Sequence, residues 1–543
     1  MKRGLLLVLI LIVFGSTQET GARYLIITAD AFYDAIQPLA AWKHKKGVST
    51  KVITRGQIGP TVYDIKNYIV DAYTNWQITP EYILFVGAPN YLPFPQVNGV
   101  YSDNYFTNMD ADIYNEILSG RLTVHSVTEA QVCVSKILKY ERTPDLTDSM
   151  WFVKGCLIVN EDGDAGDTLY WDDAEYVAAH LVSNGYVYVD TFSRYQGDNA
   201  NSVIQATSNG RAFVLYRGSA TNNWYYPFNV YPDNLANGNE LPIVISATCY
   251  TLGTGSTPAT AERWFLTGTL TTLRGASGYF ATTTGGYHLA HLRSAVARGF
   301  FDAIFTDGKR TFGEASEGGR LNVYSMYPYG GGAQEYYGFT TIGDPEMNIW
   351  TAVPQVLDVQ HPASISVDDE SLRVQVLCNE MPLDSALVCV MLDTIVYQHG
   401  YTSGGGNITF YFSNLVQDLM EITVTGKNVI PYEGFIEVQG SGINTDRHTD
   451  IIGTRVIHIS PNPFTNHTTI SIEQNAGNVE LQIYDVMGRN VKSFYLLSAY
   501  SLLPTVFSWD GTDNSGNRLA PGVYMCQLRT TDEIVLEKIV IVE

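Results

Sequence analysis

The stretch LPIVISATC, from Leu241 to Cys249, indicates the fold class, because a short apolar run ends there in three small residues and a cysteine. Such a run, rich in β-branched residues, is typical of a strand buried on both faces of a parallel sheet. A second run, AFVLYRG, extends from Ala212 to Gly218 and also leads into a polar loop. Sites in α/β proteins lie at the carboxyl ends of such strands. We therefore expect Cys249 and the loop after Gly218 to be neighbours.

Strand and helix patterns alternate outward from these two strands, up to about residue 350. The segment Arg23–Thr28 is patterned as a strand, and Phe32–Gly47 carries apolar residues at helical spacing before a glycine. Helices are also expected near Asp172–Asn184 and His288–Phe305. This alternation predicts an α/β domain with a mainly parallel sheet and helices on both faces.

The pattern changes near Thr351, after which short alternating strands are separated by Gly, Asn, Asp and Pro. This predicts two small all-β domains of the sandwich type. The 543 residues therefore divide into five predicted segments: a leader (1–22), the α/β domain (23–353), a β-sandwich (354–440), a polar linker (441–454) and a second β-domain (455–543).

The first residues have the features of a signal peptide. Lys2 and Arg3 precede a short apolar core, Gly4–Phe14, and small residues then allow cleavage before Arg23. The core is too short to span a bilayer comfortably, and no later segment approaches about 18 continuous apolar residues. We therefore expect the mature chain to have no transmembrane segment and to be secreted or attached to the cell surface.

Charge and cysteine usage exclude several classes of function. The net charge of −22 argues against nucleic acid as a partner, since phosphate binding requires basic stripes. The six cysteines show no CxxC spacing, so neither a zinc site nor a disulfide framework is indicated, and Cys378 with Cys389 is the only close pair. No nucleotide-binding or HExxH motif is present, so no cofactor is required by the sequence.

Cys249 fits two interpretations, a thiolate nucleophile above the sheet or a buried structural cysteine. A nucleophilic cysteine needs an imidazole to form and hold its thiolate. None of the ten histidines lies in the loop Arg217–Trp224, which otherwise predicts a turn with Trp224 packed over the sheet end. His288 and His291, three residues apart, are expected to share a helix face near the next strand end. His288 is near enough to the strand end to reach a site and is the candidate base, and an ordinary surface or core residue is the alternative.

Two acidic runs suggest calcium. The first, YSDNYFTNMDADIYNEI, supplies carboxylates at close intervals, and Asp103, Asp110 and Asp112 are the expected ligands of a structural calcium ion. The second is NEDGDAGDTLYWDD, from Asn160 to Asp173. Neither run fits the EF-hand pattern, and an acid-rich solvated loop is the alternative for both.

Residues 23 to about 350 resemble the catalytic domain of the gingipain family of cysteine peptidases, which share the caspase–hemoglobinase fold. The matching parts are ordered along the chain and include YLIITADAFYDAIQPLAAWKHKKG, EYILFVGAPNYLPFP, AFVLYRGSATNNW, LPIVISATC and FTTIGDPEMNIW. The resemblance implies an endopeptidase acting on protein or peptide substrates, with Cys249 as nucleophile. It also implies backbone amides near Gly218 and Cys249 as the oxyanion-binding groups.

The family places its histidine after the preceding strand, in a Tyr-x-Gly-His-Gly pattern. The stretch Tyr216–Ala220, YRGSA, keeps the tyrosine and the glycine but has Ser219 where the histidine is expected. A hydroxyl is no base at neutral pH, and Arg217 would lower the pKa of the thiol without transferring a proton. Two explanations follow: His288 has taken over as base, or the domain is an inactive peptidase fold retained to bind protein or glycan.

The two β-domains carry further resemblances. Residues 354 to about 440 resemble the immunoglobulin-like domain that follows gingipain catalytic domains, with YTSGGGNITFYF among the matching parts. Residues 455–543, with ISPNPFTNHTTISI and LQIYDVMGR, resemble sorting domains of bacterial type IX secretion substrates and the immunoglobulin-like domain of flagellar hook-capping proteins. The first of these implies the outer-membrane secretion machinery as a partner.

Overall fold

The computed structural model describes two stretches of the chain. These are residues 19–440 except 111, 164, 256 and 287, and residues 457–542 except 466, 473–478, 486–489, 497–504, 514–516 and 530–533. The core of the predicted signal peptide and the predicted linker 441–454 lie outside the described residues. Within the described chain, no helix has both the length and the apolar character needed to cross a bilayer.

A ten-stranded sheet forms the centre of the first domain. Its strands are β1 (Tyr24–Thr28), β2 (Thr50–Thr54), β3 (Tyr82–Val86), β4 (Leu118–Leu122), β5 (Lys154–Val159), β6 (Tyr188–Ser193), β7 (Phe213–Arg217), β8 (Ile243–Ser246), β9 (Gly278–Thr282) and β10 (Phe339–Ile342). Their spatial order is β2-β1-β3-β4-β10-β9-β8-β7-β5-β6.

The sheet consists of two parallel halves that run in opposite directions. All pairs within each half are parallel, and the halves meet where β9 and β10 pair antiparallel, with Tyr279 opposite Ile342 and Thr282 opposite Phe339. The half built from β9, β8, β7, β5 and β6 therefore directs all its carboxyl ends to one edge. Both strand ends singled out by the sequence lie on this edge.

Helices cover the sheet on both faces. They are α1 (Tyr33–Lys45), α2 (Arg55–Ile58), α3 (Val62–Asn75), α4 (Asn104–Thr107), α5 (Val127–Glu141), α6 (Asp167–Ser183), α7 (Ala200–Ser208), α8 (Thr260–Leu266), α9 (Ala290–Phe305), α10 (Phe312–Met326) and α11 (Gly332–Gly338). Strand β1 shows the two-sided burial directly. Ile26 packs into the core that holds α1, whereas Leu25 and Ile27 pack into the core that holds α3. Alternate residues of a strand point to opposite faces, so both faces must be covered.

The second domain is a two-sheet sandwich. One sheet contains Leu357–Gln360, Ser371–Cys378, Met381–Pro382 and Asn407–Tyr411, and the other contains Ser364–Ser366, Leu387–Leu392, Val396–Tyr401, Asp418–Thr425 and Tyr432–Gln439. Its core is apolar throughout. Cys378 and Cys389 lie in different sheets and both are free thiols.

This sandwich packs against α1 and α5 of the first domain. The Glu433 carboxylate accepts from Arg142 Nε at 2.6 Å and lies 2.9 Å from Lys45 Nζ. The ring of His44 stacks on Tyr397, with 4.1 Å between ring centres. Half-buried ion pairs with additional hydrogen bonds are stronger than exposed ones, so this contact fixes the sandwich on the α/β domain.

Backbone hydrogen bonds also hold the junction between the two domains. Thr351 N–H donates to Asn428 Oδ1 at 2.9 Å, and Gln355 N–H donates to the Asn428 carbonyl at 2.9 Å. Ile430 N–H in turn donates to the Gln355 carbonyl at 2.8 Å. The connecting segment is therefore bound to the sandwich along its length.

The carboxyl-terminal domain has its own core and two antiparallel sheets. The strands of the first are Ile457–Ser460, Thr468–Ile472 and Thr505–Trp509; those of the second are Val479–Asp485, Asn490–Leu496, Gly522–Arg529 and Ile534–Ile541. Trp509 and Phe464 lie at the centre of this core. The predicted fold class, a mainly parallel α/β domain followed by two small all-β domains, is confirmed.

Candidate active site

Strands β7 and β8 bring the two predicted loops together. Ser246 on β8 lies opposite Tyr216 on β7, and the Ala247 N–H donates to the Tyr216 carbonyl at 3.2 Å. Beyond the strands, the Thr248 hydroxyl donates to the carbonyl of Gly218. The segment that carries Cys249 and the loop after Gly218 are thus joined side by side, as the sequence predicted.

Cys249 is half-buried and lies beside a cation. Arg293 Nη1 donates to the Cys249 sulfur at 3.1 Å, and the carbonyl of Gly286 lies 3.8 Å from the same sulfur. The sulfur therefore accepts a hydrogen bond from a charged donor. Arg293 was not among the predicted site residues, because its contact with Cys249 arises only when the first turn of α9 packs beside the end of β8.

Arg293 is itself held in place. It is 4% exposed, and its Nη2 lies 3.3 Å from Glu335 and 3.5 Å from the Thr284 hydroxyl. Its Nε has no hydrogen-bond partner among the described residues. A buried hydrogen-bond donor without a partner raises the free energy of the folded chain, and a ligand that accepts from this donor would offset that increase.

Arg217 is engaged in the core beside the thiol cavity. Its guanidinium is buried and pairs with Asp173 at 2.7 Å, and it also donates to the carbonyls of Ala247 and Ala290 and to Ser294. These hydrogen bonds connect β7 to α6, α9 and the end of β8. Arg293, and not Arg217, is the arginine that donates to the Cys249 sulfur.

The Ser219 hydroxyl is bound to a carboxylate. Its hydroxyl donates to Asp162 Oδ2 at 2.7 Å. Asp162 is exposed and follows β5, the strand next to β7, and its N–H donates to the Asp167 carboxylate at 2.9 Å. Sequence reasoning missed Asp162, although its position after a predicted strand end was a usable indication. A carboxylate is therefore present beside position 219, with the serine hydroxyl bound to it.

The loop after Gly218 is a hairpin whose shape depends on small residues. Gly218 has φ +152°, and a Cβ there would lie 2.7 Å from the Cβ of Asn160. Ala220–Thr221 pairs with Asn223–Trp224, and the buried Trp224 ring stacks on Tyr216 with 4.5 Å between centres. The turn with Trp224 packed over the sheet end is confirmed.

His288 lies near the thiol but not on a helix. Helix α9 begins at Ala290, and His288 is exposed with φ +61°. His291, in the first turn, packs edge-on against Tyr327 with 4.9 Å between ring centres. The prediction that these two histidines share a helix face is wrong, because the two glycines before Tyr287 end the extended segment and α9 starts later than the periodicity suggested.

A cavity of about 280 Å³ adjoins the thiol; we call it the thiol cavity. Its lining residues are Ala165, Gly166, Leu169, Tyr170, Arg217, Gly218, Ser219, Cys249, Gly286, His288, Leu289, Ala290, His291 and Arg293. A larger groove of about 1160 Å³, the long groove, lies on the other side of Gly286 and Leu289, and Tyr101, Tyr250, Tyr329 and Glu335 contribute to its walls. Together the two spaces form a cleft at the carboxyl ends of the strands.

A buried carboxylate holds the loop that follows the cysteine. Glu262 is 3% exposed, and its two oxygens accept from the N–H groups of Gly253 at 2.9 Å and Ala259 at 3.0 Å. Burial raises the pKa of Glu262 to about 7. This loop forms part of the long groove, so Glu262 helps to set the shape of the cleft.

The predicted calcium ligands divide into two groups. Asp103 is buried, and both of its oxygens accept from Arg121 Nε, at 2.7 and 2.9 Å. Oxygens of Asp110, Asp112 and Glu116 lie within 4.8 Å of one another at the protein surface. Asp103 is therefore used in an ion pair, and Glu116 takes its place in the acidic cluster; hard oxygen ligands of this kind suit calcium.

Residues 17–350, more than half of the chain, match Peptidase family C25. The chain belongs to Peptidase family C25. Residues 462–533 match the FlgD Ig-like domain. The gingipain resemblance and the immunoglobulin-like nature of the carboxyl-terminal domain are thereby confirmed.

The C25 chain is similar to proteins of Porphyromonas gingivalis. Gingipain R2 is 23% identical over 487 residues, which are 87% of this chain and 64% of the relative. Lys-gingipain is 20% identical over 455 residues, 77% of this chain and 26% of the relative. The chain thus spans less than two thirds of the length of either relative.

A solved structure shares the fold. The crystal structure of the Arg specific cysteine proteinase gingipain R superimposes with a TM-score of 0.71 at 21% identity, covering 78% of this chain and 99% of that one. At this identity the likeness establishes the architecture of the C25 domain. The roles of Cys249, Ser219, His288 and Gly218 stay predictions that depend on the local geometry.

Proposed function

We propose that this C25 chain is a cysteine endopeptidase that hydrolyses peptide bonds through Cys249. The observation that carries the proposal is the contact of Arg293 Nη1 with the Cys249 sulfur at 3.1 Å, beside a cavity at the carboxyl ends of β7 and β8. A thiolate is the nucleophilic form of cysteine, and a fixed cation increases its share at neutral pH.

The reaction would proceed in two displacements. The Cys249 thiolate attacks the scissile carbonyl carbon, and the resulting oxyanion accepts from the backbone amides of Gly218 and Cys249. The carbon–nitrogen bond then breaks, and the leaving amine takes a proton from a general acid. Water, losing a proton to the same group, hydrolyses the thioester and restores the thiolate.

The proton carrier is the point at which this chain departs from its family. Ser219 donates its hydroxyl to Asp162 and cannot act as a base at neutral pH. We assign the role to His288, which lines the thiol cavity and is exposed, so that its ring is free to reach a bound substrate. A displaced base transfers protons less efficiently, and such a base contributes about 10²–10⁴-fold. Turnover is therefore expected to be slow.

The test compares the purified chain with two variants on a denatured protein substrate. Cys249→Ala should reduce hydrolysis to background. His288→Asn should also abolish turnover but should leave Cys249 reactive towards iodoacetamide, because asparagine tolerates the positive φ at this position. Hydrolysis that persists in Cys249→Ala would overturn the proposal, and full activity in His288→Asn would remove His288 from it.

A second candidate function is binding of protein or glycan without catalysis. It is favoured by the Ser219–Asp162 hydrogen bond, which fills the position of the family histidine with a side chain that cannot transfer protons. The cleft would then serve as a binding groove, with its exposed tyrosines as contacts. Turnover that depends on Cys249 would exclude this function.

We also propose calcium as a structural ion at Asp110, Asp112 and Glu116. Three carboxylates converging at a surface loop are suited to its coordination. Calcium should raise the melting temperature of the native chain, and the double variant Asp110→Asn, Asp112→Asn should not respond. An equal rise in that variant would place the ion elsewhere.

Export is proposed on sequence grounds. Lys2, Arg3 and the apolar residues after them would direct the chain through the inner membrane, and residues 455–543 would engage the outer-membrane secretion machinery. The mature protein would then be secreted or attached to the cell surface. Deletion of 455–543 should leave it in the periplasm of a host with type IX secretion.

A further inference from the structure

The thiol cavity is lined by basic side chains. Of its described lining residues, none is a carboxylate, whereas Arg217, Arg293, His288 and His291 are basic. The relatives include proteins named Arg specific and Lys-gingipain. A cationic substrate side chain would need an acidic partner, and this wall does not offer one.

The carboxylates nearest to these arginines are already engaged. Asp173 accepts from Arg217 and Arg298, both at 2.7 Å, and it is completely buried. Glu335 lies 3.3 Å from Arg293 and faces the long groove. With two arginines on Asp173, this buried group has a net positive charge. Each acidic group is thus held by an arginine and is not presented to the thiol cavity.

Two further described carboxylates, Asp162 and Asp167, lie near the cavity but do not line it. Asp162 accepts from the Ser219 hydroxyl at 2.7 Å, and Asp167 accepts from the N–H groups of Asp162 and Gly163. In contrast, Arg293 lines the cavity, and its buried Nε has no hydrogen-bond partner among the described residues. The basic side chains at this wall therefore favour an anion.

The position of the thiol cavity relative to Cys249 indicates which residue of a bound peptide would contact its wall. Cys249 borders the thiol cavity, whereas the long groove begins at Tyr250. A peptide whose carbonyl carbon lies at the Cys249 sulfur places the side chain of that same residue beside the thiol cavity. The long groove would take residues farther along the peptide.

We propose that the thiol cavity selects peptides with aspartate or glutamate at the residue whose carbonyl is attacked, and rejects lysine and arginine there. This inference rests on the proposed function, since it names the substrate class of the same site. An acidic side chain would be attracted by the guanidinium of Arg293 and by His288 and His291, while a basic one would meet like charge, which is strongly unfavourable at close range.

The test uses three matched peptidyl acyloxymethyl ketones that differ only in the residue next to the reactive carbonyl: Asp, its neutral isostere Asn, or Lys. Labelling of Cys249 in the full chain is followed by intact mass. Reactivity of the thiol itself is measured in parallel with iodoacetamide. We expect labelling in the order Asp, Asn, Lys, with about a tenfold difference between Asp and Lys that shrinks at high salt.

A matched pair of variants tests the electrostatic origin of the preference. His288→Asn and His288→Asp are nearly isosteric, and both residues tolerate the φ of +61°. The Asp variant should reduce the Asp-to-Lys labelling ratio relative to the Asn variant by several-fold. Both variants lack the base at position 288, and the Asp-to-Lys labelling ratio is taken within each variant. The effect of losing the base on the labelling rate therefore cancels from the ratio.

The outcomes separate the two proposals. If iodoacetamide labels Cys249 but none of the peptidyl probes does, the proposed peptidase function fails. If the probes label Cys249 and the Lys or Asn probe is fastest, the peptidase assignment stands and the acidic preference is overturned. An unchanged Asp-to-Lys ratio between the two His288 variants would overturn the electrostatic explanation.

Discussion

The ends of β8 and β7 lie side by side, but they carry side chains of different chemistry. At the end of β8, Cys249 has a cation at its sulfur and Glu262 holds the loop behind it. At the end of β7, Ser219 donates its hydroxyl to Asp162, and the loop Arg217–Trp224 contains no histidine. The comparison teaches that stabilisation of a thiolate and transfer of a proton are separate tasks, assigned to different elements of the fold.

The difference has a clear chemical consequence. A fixed guanidinium lowers the free energy of the thiolate, but it does not exchange protons at neutral pH. A chain that has the first function without the second can form a covalent bond to an electrophile faster than it can complete a catalytic cycle. Reactivity at Cys249 and turnover should therefore respond to different substitutions.

The largest effect should follow from restoring the histidine at the end of β7. Ser219→His places an imidazole next to Asp162, which would accept from Nδ1 and orient the ring. We expect kcat/KM on peptide substrates to rise by about 10²–10⁴-fold. Ser219→Ala, which also loses the hydroxyl but adds no base, is the matched control and should show no gain. Equal rates in both variants would refute a missing base as the limitation.

The next effect concerns Glu262 at the end of β8. Burial raises the pKa of Glu262 from 4.5 to about 7, so the folded chain binds this proton more tightly than the unfolded chain. Its contribution to stability is therefore greatest below pH 4.5 and falls as the pH rises towards 7, by up to about 3 kcal/mol. Urea unfolding of the native chain and of Glu262→Gln at pH 5 and pH 8 measures this. A pH dependence that is the same in both would assign it to other groups.

A smaller effect is expected when the cation at the sulfur is removed. Arg293→Met should slow alkylation of Cys249 by iodoacetamide at pH 6.5 by about tenfold, because the thiolate loses its charge partner. Arg293→Lys keeps a charge and should recover part of the rate. Circular dichroism must show both variants folded. Alkylation at the native rate in Arg293→Met would mean that the guanidinium positions the loop and does not stabilise the thiolate.

The smallest effect in the native chain should come from Asp162→Asn. With serine at position 219, the loss of this carboxylate removes one exposed hydrogen bond and should change kcat/KM less than about twofold. In the Ser219→His background the same change should cost about tenfold, because the imidazole loses its orienting partner. A double-mutant cycle of the four proteins gives the coupling directly. Additive effects would show that Asp162 plays no part in orienting a base.

Much of this arrangement could be predicted from sequence because it depends on local pattern. Strand burial and helix periodicity predicted the parallel sheet, and the position of Cys249 after an apolar run placed it at the cleft. The position of His288 was less predictable, since the start of α9 depends on how the residues before Ala290 pack. The ion pair of Asp103 could not be predicted either, because its partner Arg121 lies 18 residues away on β4.

Arg293 shows most clearly what could not be predicted from the sequence. Nothing in its neighbourhood along the chain distinguishes it from other helix arginines, and its importance comes from a contact across 44 residues with Cys249. Arg217 shows the reverse case, a residue beside the site in sequence whose donors are used to join three elements of the core. The roles of Arg293 and Arg217 both depend on side-chain contacts between residues far apart in the chain. Such contacts cannot be read from a single sequence.

The hydrogen-bonded junction at Thr351, Gln355 and Asn428 has a consequence for resistance to proteolysis. Proteases cut segments that can leave the surface and extend into a cleft, and most junctions between domains offer such a segment. Here the backbone is bound to the sandwich at both ends of the crossing. An added protease would then spare this crossing, and limited digestion would release the α/β domain and its sandwich as one fragment.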